Sequence, residues 1–584
     1  MIYNSKYPDI DTNISDSQMG ARKGKGCKTN IWIINGIIHE TLKSKKMKPI
    51  RLQIYDYAQM FDSINLEEAI SDLYDVGLDD ENLVLIHKAN KEIHMAVNAP
   101  GGLTERQILK NIVLQGDTWG SILASVQVDS IAKDVVKAGI GYMYKDNLPI
   151  SMLGLVDDLI GVTEAGFKSQ QMNVILNVKT AEKGLQFGVK KCKSMIVGKN
   201  LKNVINNELL VDGWKETFID NIETGETDLV DEFIGEIPIG ETGEQKYLGF
   251  ILSGKGDNMA NINAIKKKSI GVIRTIMSKL ESLQLRQYYF ECAMLFMNVI
   301  LRGSILYASE TYYNLTEMQL RRIERIEEEY LRKVLKTTMG CPIVQMYLEV
   351  GQWPARFEIQ KLRLFFFKLI LEEDDKSMVS QFFHLQLQQP TSGDWATTVQ
   401  NDLKELNILE TFDDIKRMSR NKFKNLVKIR MKRNAFSYLI KKRGSKGCQI
   451  EYSALEMSEY LLPYNDKMKI EEKHRLFALK NRMVDIPDNF GKKEVCQCGE
   501  NEDMSHIYSC KYLNEEENVL QYQKLYTGKL SEQIEIFRIF ELNMNRRNEL
   551  KIEREQKNQK ERDTIFPCDQ INDPLYFVKS SSIG

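Results

Sequence analysis

The 584-residue chain has no uninterrupted apolar run of about 18 residues, and no charged-then-apolar leader opens it. Those two absences argue against a membrane span and a secretory signal. Histidine is scarce, at six residues, and the nine cysteines are an odd number that cannot all pair. The expectation is a reducing compartment, nucleus or cytoplasm, where cysteines stay free or bind metal. An excess of one charge is also missing: 80 Lys and Arg face 81 Asp and Glu, for a net −1. The total therefore gives no reason to expect a polyanionic partner, and the distribution has to be read instead. A hydrophobic share of 42% is ample for real cores. At this length roughly three or four domains are expected.

The charges are unevenly placed. Between Lys416 and Lys446 stand 13 Lys and Arg and no acid. Residues 20–48 carry eight Lys and Arg against Glu40, and residues 266–286 carry six against Glu281. One such run is ordinarily a solvated helix face, but three suggest a groove that follows a phosphate backbone. Residues 216–245 compensate with ten acids and no Lys or Arg. With Gly225, Gly235, Gly240 and Gly243 among them, they read as a mobile surface loop.

Asp157 and Asp158 sit side by side inside the apolar run Met152-Leu153-Gly154-Leu155-Val156-Asp157-Asp158-Leu159-Ile160-Gly161-Val162. Carboxylates are rarely buried without a partner, and neighbouring ones repel. The run has strand composition with a break at its centre, which predicts two strands and a tight turn with the carboxylates at its tip. Upstream, Leu52-Gln53-Ile54-Tyr55 runs straight into Asp56. Three carboxylates at the ends of adjacent strands make a hard oxygen site for a divalent cation, as phosphoryl transfer needs. A lone Asp-Asp is ordinarily just a turn, so its surroundings decide its weight.

Those surroundings fall in a defined order. After Asp56-Tyr57-Ala58-Gln59-Met60-Phe61 comes Val113-Leu114-Gln115-Gly116-Asp117-Thr118-Trp119-Gly120-Ser121, a Gly-rich turn into a helix-like segment. The aspartate pair follows, then Gly184-Leu185-Gln186-Phe187-Gly188-Val189-Lys190-Lys191, then Lys246-Tyr247-Leu248-Gly249-Phe250. In this order the segments resemble the palm of a reverse transcriptase of the non-LTR (LINE-type) retrotransposon family. Gln18-Met19-Gly20-Ala21-Arg22-Lys23-Gly24-Lys25-Gly26 is similar to a segment of the fingers of those enzymes. The resemblance implies an α+β fold: a right-hand polymerase palm of antiparallel sheet and helices, partial fingers, a helical thumb, and a helical C-terminal region with a zinc knuckle.

The resemblance also implies RNA-directed DNA synthesis from an RNA template, a DNA primer and dNTPs, with two Mg²⁺ ions that Mn²⁺ can replace. Asp56, Asp157 and Asp158 would be the metal-binding triad, and Lys191 the proton donor to leaving pyrophosphate. Phe61 would be the ring that excludes a ribose 2′-hydroxyl; its alternative is a plain core aromatic. Gln115 and Gly116 would lie against the incoming nucleotide and template. Tyr247, Leu248 and Gly249 would belong to the hairpin that grips the primer end; the bland alternative is an ordinary β-turn. Three features depart from the family pattern. Leu155 stands where an aromatic is usual, Thr118-Trp119-Gly120-Ser121 replaces Pro-Leu-Ser-Pro, and only 55 residues precede Asp56. The last departure reads as an N-terminally truncated copy lacking most of the fingers. An inactive relic that binds RNA or DNA is therefore the alternative to an active polymerase.

Beyond the palm, helical periodicity dominates. Ile265, Ile270, Ile273, Ile276 and Leu280, then Leu320, Ile323, Ile326, Tyr330 and Leu331, form stripes expected to be core. Lys266, Lys267 and Lys268 would face product duplex. Further helices are expected over 346–480, including the apolar Leu362-Leu364-Phe365-Phe366-Phe367 stretch and the basic segment, which Phe423, Phe436 and Tyr438 interleave. Cys496-x-Cys498-x₇-His506-x₃-Cys510 places four soft or imidazole ligands around Gly499, which suits a closed structural Zn²⁺ site. The expected domains are partial fingers (1–50), palm (51–254), thumb (255–345), a helical basic region (346–485), the knuckle (486–515) and a charged tail (516–584), whose stretch from Asn543 to Asp563 is expected to be a solvated helix or disordered.

Overall fold

The computed structural model describes residues 10–44, 48–110, 113–114, 119–198, 210–220, 227–238, 240–283, 288–337, 341–444, 468–480, 484, 486, 494–513, 525 and 530–565. By packing, the chain forms two units. One comprises Met1–Thr275, Phe296–Glu327 and Pro354–Ser437, and the other Ile276–Leu295, Glu328–Trp353 and Tyr438–Gly584. Among the described residues no helix is long and apolar enough to cross a membrane.

The strands of interest are β1 (Ile50–Tyr55), β2 (Met152–Leu155), β3 (Asp158–Glu164), β4 (Lys193–Val197), β5 (Leu210–Asp220), β6 (Thr227–Pro238), β7 (Gly240–Glu241), β8 (Glu244–Tyr247) and β9 (Phe250–Ser253). Five of them form one sheet in the order β7-β4-β1-β3-β2. All its pairs are antiparallel except β4 with β7. Strand β1, Ile-Arg-Leu-Gln-Ile-Tyr, is buried at all six positions, as a central strand must be. Both of its long polar side chains make hydrogen bonds to neighbouring elements. Arg51 Nη1 donates to Ser194 Oγ at 3.0 Å, and Gln53 Nε2 donates to the Ser169 carbonyl at 3.2 Å. Helices α1 (Cys27–Lys43), α2 (Met60–Ser63), α3 (Gly120–Lys137) and α4 (Phe167–Glu182) complete this layer. Of these, α1 and α3 pack on β2, and α4 packs on β3.

The acidic segment corrects the sequence reading. Instead of a loop, most of residues 216–245 lies in β5 and β6, paired antiparallel from Leu210↔Pro238 to Asp220↔Thr227 with a bulge at Gly213/Trp214. Charge alone misled: Trp214, Phe218, Val230, Phe233, Ile234 and Ile237 supply the β-branched and aromatic content that strands prefer. Beyond β9, helix α5 (Met259–Ser282) buries Ile273, Ile276 and Leu280 as expected. Ile270, however, is 43% exposed, and Ile265 is only half-buried. A 3.6-residue period carries Ile270 round to the lysine face of the helix. In helix α6 (Glu317–Val334), Ile323, Ile326, Tyr330 and Leu331 are buried while Leu320 is half-buried.

Helices α7 (Ala355–Leu371), α8 (Met378–Gln388), α9 (Trp395–Glu405) and α10 (Arg420–Gly444) follow. The first three meet α1 around Trp32, fully buried, whose ring lies 5.8 Å from Phe366, 5.0 Å from Phe382 and 5.2 Å from Trp395. Edge-to-face aromatic packing of this kind adds to area burial. Gly36 permits the approach, since a Cβ there would lie 2.4 Å from Tyr313 Oη. Within α10, Phe423, Val427, Met431 and Ala435 form a buried stripe at four-residue spacing, while Lys422, Lys424, Lys428, Lys432 and Arg433 are exposed.

The second unit contains α11 (Ile470–Lys480), α12 (Met504–Ser509) and α13 (Leu530–Ile565). Tyr330 donates to the Ala293 carbonyl at 2.6 Å, and His474 Nε2 lies 2.9 Å from the Val334 carbonyl. The charged tail is helical through α13, with every residue from 551 to 560 exposed. Replacing Trp32 with Ala removes the centre of the aromatic cluster. It is expected to cost about 3–5 kcal/mol, read as a lowered denaturant midpoint of the first unit's unfolding transition.

Candidate active site and metal centre

Strand register assembles the aspartates. Tyr55 pairs with Leu159 and Leu155 with Asp158, so Asp56 leaves β1 where Asp158 enters β3, and Asp157 lies in the intervening turn. This is the tight turn with carboxylates at its tip that the composition predicts. All three are half-buried. Burial, then the charges of Asp157 and Asp56, push the Asp158 carboxyl up to about 6. Burial and Asp56 also raise Asp157, although backbone hydrogen bonds and Lys191 oppose the shift. Lys191 Nζ stands 2.9 Å from Asp56 Oδ1, and that hydrogen bond holds the ammonium above its ordinary range. The side chain is otherwise 71% exposed.

The donor set is hard oxygen, and its mutual repulsion is what a divalent cation relieves, so these residues fit Mg²⁺ by chemistry.

The turn is strained and clamped. Val156 adopts φ 58, a left-handed conformation that β-branched residues avoid. Gln18, 1% exposed, grips its backbone from both sides. Its Oε1 accepts from Val156 N at 2.9 Å and Gly20 N at 2.8 Å, while Nε2 donates to the Val156 carbonyl at 3.1 Å. Met19 N donates to the Gly154 carbonyl at 2.8 Å, and Gly154 N donates to the Ser17 carbonyl at 2.7 Å. A Cβ on Gly20 would lie 2.3 Å from Val156 N, so only glycine fits there. Sequence reasoning noticed Gln18-Met19-Gly20 but did not place it at the aspartates. Its only signal is a Gln-x-Gly spacing, and its partner lies 138 residues away.

The remaining predicted residues are positioned as follows. Gly188 N donates to the Asp56 carbonyl at 2.7 Å and Ala58 N to the Gln186 carbonyl at 2.9 Å, which runs the Lys191 segment along the Asp56 backbone. The Tyr57 and Phe187 rings stack 5.0 Å apart beneath it. Phe61, on α2, is half-buried and packs against the core cluster that includes Tyr55 and Ile64. Gln115 and Gly116 lie outside the described residues. Tyr247, 2% exposed, ends β8, and Leu248 (φ 48) with Gly249 (φ 79) form a two-residue turn with left-handed dihedrals at both positions. Asn30 Nδ2 bridges the hairpins, donating to the Gly154 carbonyl at 3.0 Å and to Tyr247 Oη at 3.3 Å. Burial and the charge of Asp158 push the Tyr247 phenol up. Tyr307 donates to the Leu248 carbonyl at 2.8 Å.

In the second unit Cys496, Cys498, His506 and Cys510 bring their ligand atoms within 4.8 Å of one another, a set able to hold a metal. Cys496 Sγ and Cys510 Sγ are 3.7 Å apart, and Cys498 Sγ lies 3.4 Å from His506 Nε2. Tetrahedral Zn²⁺, with Zn–S of about 2.3 Å and Zn–N of about 2.0 Å, spaces such pairs by about 3.8 and 3.5 Å. Burial and the two neighbouring thiols push Cys510 up to about 12, a crowding that a cation relieves. Glu500 Oε2, 2.9 Å from His506 Nδ1, leaves Nε2 for the ligand position. The sequence reading missed Glu500, because carboxylates are too common for one to stand out.

Residues 2–252 match the family described as "Reverse transcriptase (RNA-dependent DNA polymerase)", which supports a reverse transcriptase domain there. No curated protein matches the chain. Among solved structures it is similar to apo telomerase from Candida tropicalis truncated from its C-terminal domain. That alignment has 12% identity over 39% of this chain and 45% of that one, with a TM-score of 0.26. Telomerase from Candida albicans in complex with a TWJ fragment of telomeric RNA aligns at 11% identity over 70% of this chain and 56% of that one, TM-score 0.30. The corresponding Candida tropicalis complex aligns at 10% over 71% and 55%, TM-score 0.33. The chain thus spans about half the length of these structures, and likeness at this level transfers neither substrate nor partner.

Two outcomes are expected. Because Asp158 titrates higher folded than unfolded, its ionisation destabilises the fold above pH about 6, and that cost fades as pH falls toward about 4. Asp158→Asn should raise the melting temperature at pH 7.5 in EDTA, with the gain shrinking toward pH 4.5. At the second site, elemental analysis should find one zinc per chain. Glu500→Gln should weaken zinc affinity about 10–100-fold in a chelator competition.

Proposed function

We propose that the protein is an RNA-directed DNA polymerase that extends a DNA primer on an RNA template with dNTPs. The observation that carries the reading is the convergence of Asp56, Asp157 and Asp158 at one end of the sheet, inside the stretch matched to reverse transcriptases. These carboxylates would hold two Mg²⁺ ions, which Mn²⁺ can replace. When bound, the ions supply charge stabilisation for the attacking 3′-oxygen and the leaving pyrophosphate. Lys191 Nζ keeps its proton beside Asp56 and donates it to the pyrophosphate. The Tyr247-Leu248-Gly249 turn, braced by Asn30 and Tyr307, holds the primer end. Phe61 crowds the ribose 2′ position, and Gln115 with Gly116 lines the nucleotide's other side. Cys496, Cys498, His506 and Cys510 take structural Zn²⁺. The exposed lysines of α5 and α10 follow the nucleic-acid backbone.

The order of these segments also supports a narrower reading, in which the polymerase is of the non-LTR retrotransposon type. One observation favours the other reading, an inactive nucleic-acid-binding relic: Lys191 Nζ already pairs with Asp56 Oδ1 at 2.9 Å. Purified full-length protein supplied with primed RNA, dNTPs and Mg²⁺ should extend the primer, and EDTA should stop it. Asp157→Asn should lower extension by more than about 100-fold, exceeding the loss from an outer-shell partner, with a melting temperature no lower than the parent's. Absence of extension by the parent protein would establish the relic.

A further inference from the structure

We propose that a cleft between α1, α7 and α10 binds a guanine nucleotide, held by its base and its phosphate. The cleft has a volume of about 360 Å³ and is lined by Lys28, Glu310, Leu362, Phe365, Phe366, Lys368, Leu369, Arg420 and Lys424, a volume at the low end of small-ligand sites. The apolar stretch of α7 divides at this point. Leu364, Phe366 and Phe367 enter the core, whereas Leu362, Phe365 and Leu369 recur at helical spacing as a half-exposed stripe. Lys424 Nζ stands 5.6 Å over the centre of the Phe365 ring, so that face accommodates a cation now and a flat base equally well.

Charge selects the occupant. Lys28, Lys368, Arg420 and Lys424 face the cleft against Glu310, with Glu372 at the rim paired to Lys368 and Arg420. The excess is positive, which fits a phosphate. Glu310 selects the base. It is 2% exposed, and its Oε1 pairs with Lys28, while Oε2 has no hydrogen-bond partner. Such an oxygen needs an N–H donor. The pairing edge of guanine offers two adjacent donors, N1–H and the N2 amino group, to match the two oxygens of one carboxylate. Adenine and cytosine place an acceptor beside their amino group, and uracil flanks its single N–H with carbonyls. The Lys28 side chain is 46% exposed, so it can leave Oε1 to the base and turn to the phosphate. Lys28 and Glu310 are also near neighbours in sequence of Asn30 and Tyr307, which brace the Tyr247–Gly249 hairpin. The nucleotide can be free or a residue of a bound strand.

The test titrates the full-length protein with GMP, AMP and UMP by calorimetry in EDTA, which keeps metal-dependent nucleotide binding at the aspartates out of the signal. GMP should bind, with AMP and UMP at least about tenfold weaker. Phe365→Leu should weaken GMP about tenfold, and Lys424→Ala should weaken GMP while leaving guanosine unaffected. Glu310→Gln should erase the preference for guanine. If that buried change disturbs folding, the two variants at partly exposed positions decide. Anisotropy with a ten-residue oligouridylate, with and without one central guanosine, identifies the source. A guanosine effect that needs Phe365 in the absence of GMP binding assigns the site to a strand, and GMP binding assigns it to free nucleotide as well. No guanine effect in either arm, or binding indifferent to Phe365→Leu, overturns the proposal.

Discussion

Three half-buried carboxylates brought to one end of a sheet repel one another, and much of the first unit can be understood as the framework that keeps them there. The pairing of β1 with β3 fixes Asp56 beside Asp158 without any freedom of its own, because a one-residue slip would move every side chain of β1 to the opposite face of a strand buried on both. The turn between β2 and β3 then has to reverse the chain in two residues. It does so with a β-branched residue in a left-handed conformation, an arrangement that persists only where the surroundings over-determine it. Gln18 and Gly20 provide that constraint from a segment far away in sequence, and Asn30 extends it to the Tyr247 hairpin. The repulsion itself remains, visible in the raised Asp158 carboxyl.

The aspartate turn was legible because two local signals coincide, strand composition and a central break. The ligands of the Cys/His cluster were legible because cysteine and histidine are scarce enough for spacing to mean something. What the sequence hid was non-local. Gln18 belongs to a fingers-like segment with no visible tie to the aspartates until the fold brings Val156 to it, and Glu500 is one acid among many until His506 turns its Nδ1 toward it. The acidic β5–β6 hairpin was misread for a different reason. Its ten acids are the conspicuous signal, yet acidic residues do not prevent backbone pairing where Val, Ile, Phe and Trp favour it. Ile270 shows the limit of reading stripes, since a helix face has edges and residues there are only partly covered.

The second unit follows a different logic, in which a small site is held by its own outer contacts. Asp503 caps the short α12 by accepting from His506 N at 2.7 Å, and Glu502 pairs with Arg547 of α13 at 3.1 Å. Asn543 donates to the Ile507 carbonyl at 2.8 Å. The ligands are thus fixed to a 36-residue helix in which residues 551–560 are all exposed. Packing at one end of α13 is what the cluster secures.

The ion pair between Lys191 and Asp56 has a further consequence. A protein that carries its own counter-ion at a metal site can take up an external cation only by exchange. Each cation bound to Asp56 displaces an ammonium, and that ammonium, tethered to an exposed and flexible stem, is then available to the nearest anion. In the proposed reaction that anion is a triphosphate. Metal and nucleotide would therefore strengthen each other's binding by the same factor, since such coupling is reciprocal. Cooperativity of this kind arises from a single side chain that cannot be in two places at once.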